Sequence, residues 1–256
     1  MPRYLITIKY DGSCFNGWQV QLHGRSIQRE LEKALSRFSS SNPKVTGAGR
    51  TDTGVHALAQ SAHFDYVGNM HPTQIIRAFN RFLPNDIQVQ SIIRTSDDFS
   101  ARYDAYLRSY RYILSKKSDP FTRLYTGWVK HLNLRLEPMQ EAAKCFLGKH
   151  DYSSFGKPNP EVPNRICEVT KLDISEDDSG FVFNVSADRF LHNMVRRMVG
   201  ALCTVSHHDL PPQTISEWLE DANPRQRYAY PVPASGLYLI EVKYPEELLL
   251  EAWHIS

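Results

Sequence analysis

Residues 46–57 read TGAGRTDTGVHA: three glycines, one arginine and one aspartate in a single short stretch. The segment before it, SIQRELEKALSRF (26–38), carries Ile27, Leu31, Leu35 and Phe38 at helical spacing behind Ser26 as a candidate cap. The segment after it, SAHFDY (61–66), alternates like a strand. The glycine stretch is therefore a loop joining a helix to a strand. Gly47 and Gly49 are expected to give its backbone unusual freedom and to permit close approach of a ligand. Arg50 offers a planar donor fork for phosphate or carboxylate, and Asp52 can act as a nucleophile or a general base. The bland alternative is an Asx turn, with Asp52 bonded to nearby backbone and Arg50 solvated.

The same alternation continues outward. YLITIKY (4–10) is a strand closed by the turn signal DGS, PTQIIRAFNRFL (72–83) a helix opened by proline, and DIQVQSIIRT (86–95) and YLRSYRYIL (106–114) further strands. The second half reads as a helix over 138–148 ended by glycine, a hairpin over 168–188 turning at DDSG, a helix over 190–205, a short helix over 213–221 and a last strand over 236–244. The expected fold class is α/β (α+β), in two units, 1–105 and 106–256. The loop GKPNPEVPNR (156–165) is dense in proline and asparagine and suited to carrying function.

The 256 residues carry a net charge of +2, which excludes a polycationic protein but not a local basic cleft. The four cysteines show neither CxxC spacing nor a zinc pattern, and the N-terminal residues enter a strand without a signal region. No apolar run approaches the ~20 residues that span a bilayer. These features predict a cytoplasmic protein, not associated with membranes and without a structural metal.

Two further stretches carry chemistry. In AYLRSYRYIL (105–114), Tyr106, Arg108, Tyr110 and Tyr112 share one face of a strand, a composition suited to stacking on a nucleobase beside a phosphate. Tyrosines are also ordinary strand formers packing on a core. In FLHNMVRRMVGALC (190–203), Leu191, Val195, Met198 and Leu202 form an apolar stripe with His192 and Arg196 at its edge. Arg196 either snorkels to water or enters a cleft to meet a carboxylate. His56 is expected to pack behind the glycine loop, and the pair at 207–208 to sit at a helix end.

Six ordered blocks resemble the TruA family of tRNA pseudouridine synthases: YDGSCFNGWQ (10–19), AGRTDTGVHA (48–57), FSARYDAYLRSYRY (99–112), HDYSSF (150–155), RFLHNMVRRMVG (189–200) and ASGLYL (234–239). The resemblance implies Asp52 as catalytic nucleophile, Arg50 and Arg196 as its electrostatic partners, and Tyr110 as the residue stacking on the target uracil. It implies two α/β halves whose mostly antiparallel sheets join into one, with a basic cleft between them, and a homodimer. The implied substrate is the anticodon stem-loop of tRNA, at uridines 38, 39 and 40, with no metal or organic cofactor. Arg102 and Arg108, with Arg25 and Lys157, are candidate contacts to RNA phosphates. Three routes remain open for the carboxylate: attack on C1′, addition to C6, or stabilisation of an oxocarbenium with proton abstraction from the sugar. The competing readings are a synthase of the same family acting on other tRNA positions or another RNA, a non-catalytic RNA-binding protein, and a hydrolase. The last needs a second carboxylate or a metal, and the only acid close in sequence is Asp65.

Overall fold

The computed structural model describes residues 1–39, 44–130, 132–160 and 162–254. Its elements run β1 (Arg3–Tyr10), α1 (Ile27–Leu35), β2 (Thr46–Gly47), β3 (His56–Asp65), α2 (Pro72–Phe82), β4 (Ile87–Thr95) and β5 (Leu107–Ser115). They continue with α3 (Leu136–Ala143), β6 (Gly148–Asp151), β7 (Ile166–Glu176), β8 (Gly180–Ala187), α4 (Met194–His208), α5 (Thr214–Asp221), β9 (Leu237–Lys243) and β10 (Leu249–His254). The chain is a mixed α/β protein of two compact units, Met1–Leu107 with Leu239–Ser256, and Arg108–Tyr238.

In the first unit β1 is central, antiparallel to both β3 and β4, and β10 adds antiparallel to β4. Ile6 and Ile8 on β1 and Val89 and Ile92 on β4 are fully buried, the β-branched surface that a sheet core favours. Helices α1 and α2 bury Ile27, Leu31 and Leu35, and Ile75, Ile76 and Phe79. Helix α2 opens with proline and a reciprocal cap in which the His71 side chain accepts from Thr73 N–H while Gln74 Oε1 accepts from His71 N–H. Ser26 stands at the expected start of α1 but makes no side-chain cap bond there. A second cluster gathers Leu5, Ala48, Phe99, Ala101, Ala105 and Tyr244, and the Tyr244 hydroxyl donates to the Ala101 carbonyl at 2.9 Å.

In the second unit β8 pairs antiparallel with β5 and β7, and β7 with β6. The β7–β8 hairpin turns where expected: Asp177 Oδ1 accepts from the Ser179 and Gly180 backbone N–H groups. Helices α3 and α4 pack on each other, and α3 on β7. Two boundaries differ from the sequence pattern. The helix expected over 138–148 spans Leu136–Ala143 and passes through a 3₁₀ turn, and Gly148 (φ 97°) opens β6 instead of capping the helix. The helix expected from residue 190 begins at Met194, because Asn193 adopts a left-handed conformation (φ 64°) that no helix interior accommodates.

Candidate active site

In the first unit, the loop between β2 and β3 carries Arg50 and Asp52, and buried groups brace it on both flanks. The Tyr10 hydroxyl lies 2.8 Å from Thr51 Oγ1, with both residues buried. Burial pushes the Tyr10 phenol well above its ordinary pKa, so it stays neutral and available for hydrogen bonding. Gln60, fully buried on β3, donates from Nε2 to the Gly49 carbonyl at 3.1 Å. The Trp18 N–H donates to the Thr51 carbonyl at 3.0 Å, and Val55 N–H to the Asp52 carbonyl at 3.2 Å. Residues 49 and 51 are thus pinned on either side of Arg50, and the half-buried Asp52 follows directly. The turn at 10–19 is the clasp, and its Gln28 N–H bond to the Trp18 carbonyl ties it to the start of α1.

The glycines do different work from that expected. Neither Gly47 nor Gly49 has a positive φ; the left-handed positions are Gly17 (φ 85°) and Gly54 (φ 78°). Gly47 serves by its missing side chain, since a Cβ there would lie 2.6 Å from the Trp18 indole. Gly17 needs both properties: its φ, and the 2.6 Å that would separate a Cβ from the Thr51 carbonyl oxygen. His56 packs behind the loop, 2% exposed, with Nδ1 accepting from Gly12 N–H at 3.1 Å and lying 3.3 Å from Asp11 Oδ1. Asp65, the neighbouring acid, is bound by both ends of the Arg3 fork at 2.8 and 2.9 Å, and that hydrogen-bonded pairing holds its pKa below the usual carboxylate value. Arg102 is exposed, with its guanidinium 5.5 Å from the Tyr103 ring centroid. Arg25 makes a two-pronged pair with Asp86 and stacks 4.3 Å over Phe15.

In the second unit, the tyrosine face of β5 divides. Tyr112 is core, fully buried and donating to the Pro233 carbonyl at 2.9 Å. Tyr110, two residues earlier on the same face, is half-buried and meets Phe190 edge-on, ring centroids 5.1 Å apart at 88°. Arg108 donates to the Asp188 carbonyl at 2.7 Å. Half-buried Arg196, in the first turn of α4, donates from Nε to the Val232 carbonyl at 2.7 Å and from Nη1 to Asn193 Oδ1 at 2.9 Å. Its guanidinium is therefore held at two points rather than trailing into water. The left-handed Asn193 that delays the helix is also the residue that orients this arginine. His207 Nδ1 accepts from Asn133 N–H at a helix end. Among the described residues no group of three or more His, Cys, Asp or Glu is placed to hold a metal ion.

Sequence reasoning passed over the supports: Tyr10, Thr51, Gln60, Asn193 and Val232. One signal was present, a glutamine at a strand position that alternation assigns to the core.

A family model described as tRNA pseudouridine synthase matches residues 6–104 and 142–245. The chain belongs to the TruA family of tRNA pseudouridine synthases, and is an isomerase acting on tRNA. Its relatives include proteins named tRNA pseudouridine synthase A from Bacteroides fragilis, 39% identical over 97% of this chain and 98% of that protein, and from Nitrosomonas eutropha, 38% identical over 99% and 91%. Another, from Staphylococcus saprophyticus, is 38% identical over 96% of this chain and 93% of its own length.

Proposed function

We propose that this synthase converts uridines 38, 39 and 40 of the tRNA anticodon stem-loop to pseudouridine, with Asp52 as the nucleophile. The observation that carries the assignment of Asp52 is the buried brace at Gly49 and Thr51, which holds the Arg50–Asp52 segment in one conformation. An Asx turn on a solvated loop needs no such anchoring. In the reaction the N1–C1′ bond breaks, the uracil turns, and C5 bonds to C1′. C5 loses its hydrogen and N1 gains one, so the product is an isomer of the substrate.

Asp52 acts as the carboxylate, with Arg50 and Arg196 as its electrostatic partners. Tyr110 stacks on the freed base, an interaction typically worth about 1–3 kcal/mol, which restrains the uracil while it turns. Arg102 and Arg108 contact phosphates around the flipped nucleotide. The working form is a cytoplasmic homodimer needing no metal or organic cofactor. All four cysteines are free thiols, and among the described residues no helix is long and apolar enough to cross a membrane.

The test is single-nucleotide mapping of pseudouridine on unmodified tRNA transcripts, with wild type and Asp52→Asn side by side. Wild type is expected to modify 38–40, and Asp52→Asn to bind tRNA normally and modify nothing. Conversion by the variant, or wild-type modification confined to other positions, refutes the corresponding half of the reading.

A further inference from the structure

Arginines 165 and 197 stand out in the second unit because their polar atoms are incompletely used. The Nε of each is buried and, among the described residues, has no hydrogen-bond partner. Both side chains reach backbone carbonyls of the segment 154–157: Arg197 Nη1 donates to the Ser154 carbonyl at 3.2 Å, and Arg165 Nη2 makes a long bond to the Lys157 carbonyl at 3.4 Å. Gly156 makes room for this, since a Cβ there would lie 2.5 Å from Arg165 Nη2. The two cations are close enough that Arg165, after burial itself, lowers the pKa of Arg197. Nearby Asp151 and Asp188 accept from backbone N–H groups of Ser153, and of Glu168 and Arg189. Exposed Lys157 adds a third positive charge on the same segment.

Two like charges held together with unpaired buried donors are unfavourable without an anion. Nothing in the proposed reaction at Asp52 uses them. Arg165 ends the loop GKPNPEVPNR, and Arg197 directly follows Arg196 on α4.

We infer that Arg165 and Arg197, with Lys157, form a binding site for a backbone phosphodiester of the RNA substrate. This rests on the reading that the substrate is the anticodon stem-loop, and adds a second anchoring point for it. Planar guanidinium forks suit a phosphate, and each neutralised phosphate contributes about −0.7 to −0.9 to the slope of log affinity against log salt.

The experiment measures tRNA affinity between low and physiological salt for wild type, Arg165→Gln and Arg197→Gln, with melting temperature and pseudouridine mapping on the same preparations. Each variant is expected to bind about tenfold more weakly, with the salt slope reduced by about one and no loss of melting temperature. Unchanged affinity and slope overturn the inference. So does competition by inorganic phosphate at micromolar concentration, which would mark a free-anion site. Should a Gln variant unfold, the Lys variants decide: weaker binding with the slope kept supports the site, and unchanged affinity refutes it. Wild-type modification away from 38–40 with the affinity losses intact supports the phosphate site and refutes only the position assignment.

Discussion

The hydrogen bond between Tyr10 and Thr51 links loop conformation to chemistry, and a double-mutant cycle measures it. Both hydroxyls are buried and 2.8 Å apart. Tyr10→Phe leaves Thr51 Oγ1 without this partner, whereas in Thr51→Val the phenol keeps its second partner, Gln60. Stranding one buried hydroxyl costs about 1–3 kcal/mol, whereas removing both partners restores part of that loss. Tyr10→Phe is therefore expected to lose about 1–2 kcal/mol in urea unfolding and Thr51→Val about 1 kcal/mol, with a coupling between them of about 1 kcal/mol. Thr51 directly precedes Asp52, so the same substitutions shift the carboxylate. Misplacement by about 1 Å is enough to slow a reaction on the order of 100-fold. Single-turnover pseudouridine formation is expected to fall about 10- to 100-fold in each single variant, with tRNA affinity little changed. Strictly additive stability losses, or a full single-turnover rate in a variant that has lost stability, would refute the bracing argument.

Two further perturbations follow from the same unit. Gly17→Ala forces a side chain into a left-handed conformation, at about 1–2 kcal/mol, and drives its Cβ toward the Thr51 carbonyl 2.6 Å away; the variant should lose more than ~2 kcal/mol in denaturant titration, and a loss below 1 kcal/mol would contradict the close approach. His63 is the group to watch in acid. Desolvation, reinforced by Arg3, lowers its pKa to about 4, and its Nδ1 accepts from Ala101 N–H at 3.0 Å. The unfolded chain takes up this proton near pH 6.5 and the folded chain only near 4. The stabilising contribution is thus whole above 6.5 and lost as pH falls from 6.5 to 4. Allowing for solvent screening of the partly exposed ring, about 1–2 kcal/mol disappears across that window. His63→Asn keeps an acceptor for Ala101 and takes up no proton, so its stability profile should be flatter there. Superimposable profiles would exclude His63 as the titrating group.

Local pattern sufficed for most elements because helical and strand periodicities are written in neighbouring residues. The amphipathic spacing of Ile27, Leu31 and Leu35 and the proline opening of α2 correspond to helices in the expected places, although α1 ends at Leu35 and does not reach Phe38. The turn chemistry of 177–180 likewise marked the β7–β8 hairpin. Where a three-dimensional constraint intervened, pattern misled. The apolar run from 190 reads as helix, but Asn193 turns left-handed and delays the start to Met194. Periodicity treats Tyr110 and Tyr112 alike on one strand face, yet Tyr112 is sealed by its bond to Pro233 and only Tyr110 stays half-buried.

The candidate site residues Arg50, Asp52, Tyr110 and Arg196 stood out by type and motif. Their supports did not, because the partners are distant in sequence: Tyr10 meets Thr51 41 positions away, and Arg196 meets Val232 36 away. The return of residues 239–256 to the first unit is of the same kind. A strand's alternation records that it has a buried face, but not which strand lies beside it. Identity and local form are encoded in short-range spacing. Which buried hydroxyl or carbonyl holds a loop still depends on contacts that exist once the chain has closed on itself.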